Sequence, residues 1–166
     1  MDVARTHEYG LMVMLKIRDY KDGDAESIAN ISKTAFADEV ERGMNKFTSE
    51  WCQNWSKRNR TKIFVADDNS TLIGYLILIE SNIEVPAQIH LMAVKEDFRG
   101  KGVGKQLARA AVEHARELGS GKVRLYTRPW NVGMSKVCVE LGFIPEAYLR
   151  NEYLGEDLVQ YSLFIE

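Results

Sequence analysis

The sequence predicts an α/β fold with a mixed sheet, and three features support this. Residues 88–94 read as a short apolar strand, closely spaced glycines follow, and an amphipathic helix then leads to a strand at residues 122–127. Strand, helix and strand in this order form a parallel crossover. The apolar runs 63–67 and 72–80 flank a turn, and so do the runs 143–150 and 158–165, which predicts two antiparallel hairpins.

The elements before the first hairpin follow from periodicity and capping residues. Residues 14–20 alternate apolar and polar side chains, as a half-buried strand does, and Asp22-Gly23-Asp24 predicts a turn and a helix N-cap. Ile28, Ile31, Ala35 and Phe36 form the buried stripe of a first helix, which fades after residue 37. A second helix begins after a Thr48 cap and carries Trp51 and Trp55 one turn apart.

Length and composition predict a single domain. The chain has 166 residues, of which 45% are hydrophobic, and this is sufficient for one core. We assign residues 14–166 to the domain and residues 1–13, which show no clear period, to an N-terminal extension. The net charge is −2 with both signs interspersed, so the sequence gives no reason to expect nucleic acid or a membrane as partner.

The two cysteines, Cys52 and Cys138, are far apart and belong to no CxxC or Cys/His cluster. This spacing favours neither a metal site nor a disulfide framework. The longest apolar run, residues 72–79, is too short to cross a bilayer, and the acids Asp2 and Glu8 do not fit a signal peptide. We therefore expect reduced thiols and a cytoplasmic location.

Residues 99–105, called here the glycine loop, read Arg-Gly-Lys-Gly-Val-Gly-Lys and lie where the strand turns into a helix. The first N–H groups of a helix have no intrahelical partner and carry partial positive charge, so they bind phosphate groups. The glycines allow close backbone approach, and the flanking cations favour a pyrophosphate. The spacing fits neither a Walker P-loop nor a Rossmann dinucleotide motif.

Arg-x-x-Gly-x-Gly at residues 99–104 resembles the acyl-CoA signature of the GCN5-related N-acetyltransferases (the GNAT family). Asn131, followed by a short helix that ends at Gly142-Phe143, is similar to the second cofactor motif of that family. The resemblance covers roughly residue 15 to the C-terminus. It implies a GNAT fold with a twisted mixed sheet of six or seven strands and about four helices, splayed at the strand of residues 88–94. It also implies acetyl-CoA as the acyl donor and direct transfer of the acetyl group to a primary amine.

The resemblance assigns the cofactor-binding residues to three places: the end of the central strand, the glycine loop, and the helix after Asn131. These residues are Met92, Ala93, Val94, Arg99, Gly100, Lys101, Gly102, Val103, Gly104, Lys105, Asn131 and Ser135.

The candidate catalytic residues are His90, Cys138 and Tyr126, and each departs from the commonest family pattern. Many members carry a tyrosine as general acid where this chain has Cys138, which is either an acid or a small buried hydrophobe. His90 matches the second of two histidines that help remove the amine proton in arylalkylamine acetyltransferases, and Gln88 replaces the first. The alternative for His90 is a core histidine. Tyr126 stands where N-terminal acetyltransferases have a glutamate.

The acceptor is an amine, and its class is ambiguous between a protein or peptide N-terminus and a small molecule. Asp38 and Glu39 are candidate ligands for a cationic substrate, although acids at a helix end are often simply solvated. Tyr153 lies in a hairpin similar to the one that N-terminal acetyltransferases fold over their substrate, and Tyr126 is a second candidate contact. The sequence leaves open whether the protein forms a homodimer. The alternative function is an acyl-CoA-binding module with little or no catalysis.

Overall fold

The computed structural model describes residues 2–6, 12–81 and 85–166, with side chains from residue 15 onward. The strands are β1 (Asp2–Thr6), β2 (Met12–Asp19), β3 (Thr61–Asp68), β4 (Thr71–Ile79), β5 (Ala87–Val94), β6 (Lys122–Thr127), β7 (Ile144–Tyr153) and β8 (Glu156–Phe164). The helices are α1 (Ala25–Ala35), α2 (Ala37–Glu41), α3 (Ser49–Ser56), α4 (Val103–Glu117) and α5 (Val132–Glu140), with 3-10 turns at Asp22–Asp24 and Glu96–Phe98.

All eight described strands form one sheet in the order β1-β2-β3-β4-β5-β6-β8-β7. Neighbours are antiparallel except β5 and β6, which are parallel. The predicted α/β class and mixed sheet are therefore confirmed. The sheet has one strand more than the upper expected number because residues 2–6 of the predicted extension pair with β2, which itself begins at Met12. Residues 1 and 7–11 of that extension lie outside the described residues.

Two hydrophobic cores lie on opposite faces of the sheet. On one face α4 packs over the sheet through Leu107, Ala108 and Ala111, together with Cys138 of α5. On the other face α1 and α3 contribute Ile28 and Cys52 to a second cluster. Strands β3 and β4 are buried on both faces, and this explains why their sequences are continuous apolar runs without alternation.

The helices on the second face differ in two details from the sequence prediction. The chain breaks at Phe36, so the fading end of the first helix is a separate short helix, α2. Asp24 precedes α1 without capping it, because its carboxylate binds Arg18 at 2.8 and 2.9 Å instead. The Thr48 cap is confirmed, since its hydroxyl accepts from the Trp51 N–H at 3.1 Å. Among the described residues, no helix has the length and apolarity needed to cross a bilayer.

Gly74 of β4 lies beside a β-bulge, where the β3–β4 register shifts between Ala66 and Asp67. A Cβ atom at Gly74 would meet the Ala93 carbonyl oxygen at 3.1 Å and the Leu107 Cδ1 atom at 3.3 Å. The absence of a side chain thus lets β5 and α4 approach β4 closely.

The C-terminal hairpin of β7 and β8 is longer than predicted. The strands continue to Tyr153 and resume at Glu156, which leaves a two-residue turn. Leu154 and Gly155 both have positive φ, at 53° and 77°, as the tight turns of hairpins require. This extension brings Tyr153 and Glu156 next to α2.

We predict that Gly74→Ala destabilises the fold by about 1–3 kcal/mol, because the added methyl group meets a backbone carbonyl that cannot rotate away. Urea unfolding provides the measurement. Gly23→Ala is the matched control, since a Cβ atom there has no heavy atom within 4 Å. Equal stability of the two variants would contradict the close approach of β5 and α4 to Gly74.

Candidate active site

The strands β5 and β6 pair only over their first residues. The pairing runs from Ala87 opposite Val123 to Ile89 opposite Leu125, and no pair is formed beyond that point. Strand β5 nevertheless continues to Val94, and β6 continues to Thr127. The sheet is therefore splayed at the predicted strand, and the predicted cofactor residues Met92, Ala93 and Val94 lie on the unpaired part of β5.

The N-terminus of α4 lies beside this opening. Within the described residues, the backbone N–H groups of Val103, Gly104 and Lys105 have no hydrogen-bond acceptor. No acidic side chain lies in the first turn, and no side chain caps the helix. Three unpaired donors and the positive end of the helix dipole make this an anion-binding end.

The glycine loop has the backbone geometry that its sequence predicts. Gly100 and Gly102 have φ values of +71° and +83°, which disfavour other residues. A Cβ atom at Gly104 would lie 3.3 Å from the terminal methyl group of Met92, so the helix start lies directly against β5. Arg99 fixes the loop to the end of the same strand, since its Nε donates to the Val94 carbonyl at 3.1 Å.

The predicted cofactor residues on α5 lie beside the same helix. Asn131 caps α5, with its side-chain oxygen accepting from the Met134 N–H at 3.1 Å, and Ser135 is half-buried one turn later. Lys105 forms an ion pair with Glu140 at 2.9 Å, which joins α4 to α5. Much of the Lys105 charge is therefore already balanced within the protein. The exposed Lys101 lies over the Phe98 ring, at 5.4 Å from its centroid.

His90 lies at a bulge in β5. Ile77 pairs with Leu91 and the next residue, Leu78, pairs with Ile89, so His90 is the extra residue between the two pairs. The bulge reverses which face of the sheet the odd-numbered side chains point to. Ile89 packs into the α4 core, whereas Leu91 packs into the α1 and α3 core. His90 thus faces α3, away from the glycine loop. Bulges of this kind often re-aim a side chain next to an active site.

The His90 ring packs against Trp55 in a tilted arrangement, with ring centroids 4.5 Å apart and an interplanar angle of 36°. Surrounding protein atoms desolvate the imidazole, and the positive charges of Lys46 and Arg58 act in the same direction. Together they lower the pKa of His90 below its usual value. The lowered pKa favours the neutral imidazole, which can accept a proton, and the side chain is exposed to the cavity side.

A cavity of about 440 Å³ opens in front of His90. Aromatic and charged side chains of α3 and its flanking segments form most of its wall. The lining residues are Lys46, Thr48, Glu50, Trp51, Asn54, Trp55, Arg58, His90 and Leu91. We call this cavity the acceptor pocket. Trp51 and Trp55 both line it, and both also pack against the second core.

The predicted substrate ligands Asp38 and Glu39 lie beside the pocket in a network of ion pairs. Arg128 lies 3.2 Å from Asp38, 3.6 Å from Glu39 and 2.5 Å from Glu156 of the hairpin. Glu39 is only 5% exposed, and its second oxygen contacts Lys46 at 3.1 Å. The carboxylates are thus matched by protein cations.

Tyr153 is the predicted substrate residue that joins this network to the pocket. Its hydroxyl donates to Glu39 at 3.1 Å and accepts from Lys46 at 3.2 Å. Burial alone would lower the pKa of Lys46, but the hydrogen bonds to Tyr153 and Glu39 outweigh it, and the pKa is raised. Lys46 is therefore charged in the pocket wall.

Cys138 and Tyr126 occupy very different environments. Cys138 is 0% exposed in the α4 core, and desolvation raises the pKa of its thiol to about 12. Tyr126 is half-buried on β6, one residue beyond the last β5–β6 pair. Arg124, whose guanidinium lies 5.7 Å from the Tyr126 ring centroid, donates to Gln88. Tyr126 therefore shares the pocket-facing side of the sheet with Gln88.

Sequence reasoning missed Lys46, Arg58 and Arg128. Lys46 and Arg58 lie on either side of α3, where they read as ordinary surface cations. Their convergence depends on the bulge that turns His90 toward α3. The sequence does place Arg128 directly after the β6 strand, at its carboxyl end. Its three acidic partners could not be inferred, because they come from two distant segments.

The chain matches known acetyltransferases in sequence. Residues 25–143 match the acetyltransferase (GNAT) family. The chain is 25% identical over 170 residues to a mycothiol acetyltransferase of Propionibacterium freudenreichii, covering 93% of this chain and 54% of that protein. It is 29% identical over 152 residues to an uncharacterised N-acetyltransferase of Methanocaldococcus jannaschii, covering 84% and 65%. The chain thus spans about half to two thirds of the length of these curated relatives.

Solved structures share the fold. Ard1 from Thermoplasma volcanium superposes with a TM-score of 0.78 at 23% identity, covering 92% of this chain and 98% of that one. A mutant form of the spermidine/spermine N-acetyltransferase SpeG from Vibrio cholerae gives a TM-score of 0.73 at 22% identity, covering 90% and 93%. With the splayed sheet, the glycine loop and the family match over most of its length, this chain belongs to the GNAT family of acetyltransferases.

Proposed function

We propose that this protein is an N-acetyltransferase that moves the acetyl group of acetyl-CoA to a primary amine by direct attack. The positions of α4 and of His90 relative to β5 are the main support for this proposal. The unpaired N–H groups of α4 lie on one side of this strand, and His90 with the acceptor pocket lies on the other. The opening between β5 and β6 joins the two sides.

The residues beside the opening fit a CoA thioester. The N–H groups of Val103, Gly104 and Lys105 would hold the pyrophosphate. The backbone of β5 beyond Ile89, which is not paired with β6, would hold the extended pantetheine arm of CoA. The side-chain amide of Asn131 has no acceptor among the described residues, and with Ser135 it would contact the same arm. Acetyl-CoA supplies an activated acyl group when bound.

His90 is proposed to accept the proton of the attacking amine, directly or through water. The amine nitrogen forms a bond to the acetyl carbon while the carbon–sulfur bond breaks. The proton passes from nitrogen to an imidazole ring nitrogen, and the electron pair of the broken bond leaves with sulfur. A neutral imidazole is required for this role, and partial desolvation together with the nearby cations lowers the pKa of His90, which favours that form.

The acceptor is proposed to be an amine of low pKa: a peptide N-terminus, an amino acid or an amino sugar. At pH 7 an amine of pKa ~10.4 is neutral in only about one molecule in ~2,500, whereas an α-amine of pKa ~7.8 is neutral in roughly one in seven. His90 with a lowered pKa is a weak base and cannot offset this difference. Glu39 is buried among protein cations, which does not favour a polyamine.

Cys138 was a candidate acid, and its environment favours the packing role. A thiol whose pKa is raised to about 12 is a weaker acid than the departing thiol, whose ordinary pKa is ~8.5. A sulfur atom that is fully buried also has no access to the opening. We therefore propose that the thiolate is protonated from water or from Tyr126, which lies at the mouth of the opening.

A cytoplasmic location is also proposed. Both cysteines are free and buried, and burial raises the pKa of Cys52 to about 11. Neither thiol needs an oxidising compartment for the stability of the fold.

We predict that Gly104→Glu weakens acetyl-CoA binding at least tenfold, which corresponds to ~1.4 kcal/mol. The carboxylate would repel the pyrophosphate at the start of α4. The fold should tolerate the change, because the nearest atom is the end of the flexible Met92 side chain. Isothermal titration calorimetry provides the measurement.

Gly121→Glu is the matched control, since a Cβ atom there has no heavy atom within 4 Å and the residue lies at the far end of α4. This variant should bind acetyl-CoA as the unmodified protein does. Unchanged affinity in a folded Gly104→Glu variant would exclude the glycine loop as the phosphate site.

We predict that His90→Ala lowers kcat/KM for an α-amine acceptor by roughly 10²-fold or more at pH 7. In the unmodified protein the rate should fall as the pH drops through the lowered pKa of His90, because protonation removes the base. In His90→Ala the rate should no longer show this decrease at low pH. CoA release, followed with a thiol reagent from pH 5 to 9, measures both effects.

His114→Gln is the control, because His114 lies on α4 and its Nε2 atom contacts Glu80 at 2.7 Å, away from the pocket. It should keep the rate and the pH profile. An unchanged profile in His90→Ala would remove His90 from the reaction. Tight acetyl-CoA binding without CoA release for any amine would instead establish the alternative of an acyl-CoA-binding module.

A further inference from the structure

We propose that the amine acceptor carries an anionic group, a carboxylate or a phosphate, and that Arg58 binds this group in the acceptor pocket. The proposal rests on the proposed acetyl transfer and narrows its substrate class. It excludes polyamines, which carry positive charge alone, and favours small amines that also carry a negatively charged group.

Arg58 is placed and oriented without a protein anion. Its guanidinium lies over the Trp55 ring, 4.1 Å from the centroid, and the same ring packs against His90. Within the described part of the chain, no carboxylate lies within ion-pair distance of Arg58, although it is the cation nearest the aromatic wall. A guanidinium that lies over an indole ring without a carboxylate partner has N–H donors available for an anion.

Of the cations that line the pocket, Arg58 is the one without a carboxylate partner among the described residues. Lys46 and Arg58 are positive, Glu50 is the one acid in the lining, and His90 adds positive charge only when protonated. Glu39 and Tyr153 already engage Lys46. Arg58 is therefore the partner for an incoming anion, and Lys46 adds its field. A polycation would meet two cations, Lys46 and Arg58, with Glu50 as the one acid in the lining.

The two acids beside the pocket that suggested a polycation are already paired with protein cations. Asp38 and Glu39 both contact Arg128, and Glu39 also contacts Lys46 and Tyr153. A cationic ligand would have to compete with Arg128 and Lys46 for these carboxylates, and for Glu39 it would have to break ion pairs that are largely buried. The network thus works against the ligand class that the acids alone would suggest.

The size of the pocket limits the acceptor to a small molecule or a short chain end. A volume of about 440 Å³ lies within the usual range for small-molecule sites, roughly 300–1,000 Å³. Trp51 and Trp55 provide flat apolar walls for the body of the ligand. An anion beside Arg58 would also offset the positive charges that lower the pKa of His90, so binding of the right acceptor would strengthen the base.

The test compares amines that differ only in the anion. The pairs are glucosamine 6-phosphate against glucosamine, and glycyl-glutamate amide against glycyl-glutamine amide, with spermidine as the polycation. We expect the anionic member of at least one pair to exceed its neutral partner at least tenfold in kcat/KM, and the pair that responds tells phosphate from carboxylate. Arg58→Gln should reduce this preference to within about threefold.

Lys57→Gln is the matched control, because Lys57 is the exposed cation next to Arg58 and does not line the pocket. It should keep the full preference. Calorimetric titration of the same amines provides a readout independent of turnover. Equal rates for anionic and neutral partners, faster turnover of spermidine, or a preference that survives Arg58→Gln would overturn the inference. Arg58-dependent binding without CoA release for any amine would instead overturn the proposed transfer reaction and leave the anion site standing.

Discussion

The end of hydrogen bonding between β5 and β6 at Ile89 and Leu125 is the constraint on which the site depends. Two parallel strands that stay paired leave no space between them and no free backbone groups. Here the strands separate while both continue, so the last residues of β5 keep an unpaired edge. The same separation exposes the start of α4, which is packed against β5 at Gly104. An opening and an anion-binding helix end therefore arise from one departure from regular pairing.

Strand β5 separates the α4 side of the sheet, where we propose that acetyl-CoA binds, from the α3 side, where we propose that the amine acceptor binds. Met92 and Val94 pack toward α4, whereas Leu91 and Ala93 pack toward α1 and α3. The bulge at His90 makes this division possible, because without the extra residue His90 and Leu91 would point to opposite faces. The hairpin then closes the α3 side, held by Arg128 and by Arg42, which contacts Glu156 at 2.7 Å.

Local sequence patterns predicted the parts of the fold that depend on local chemistry. The Thr48 cap, the two hairpins and the glycine loop all follow from residues that are close in sequence. The acceptor pocket could not be predicted in this way. Strict alternation would have placed His90 and Leu91 on opposite faces, and only the register shift against Ile77 and Leu78 reveals that they share one.

The ion pairs beside the pocket could not be predicted from local sequence patterns either. Asp38 and Glu39 suggested a cation site because their partners are invisible locally: Arg128 is about ninety positions away along the chain and reaches them only in the folded sheet. Cys138 was open between an acid and a core residue, since the pattern of α5 fits both. Its full burial supports our proposal that it packs in the core, because desolvation makes the thiol a poorer acid.

The most direct test of this arrangement is the change in backbone amide chemical shifts when CoA is titrated into the ¹⁵N-labelled protein. We expect the largest changes at Val103, Gly104 and Lys105 and along the unpaired part of β5 from Leu91 to Val94. The amides of β7 and β8 should change little. Shifts confined to the hairpin, or none at the start of α4 under saturating CoA, would contradict the claim that the splayed strands and the α4 N-terminus form the donor site.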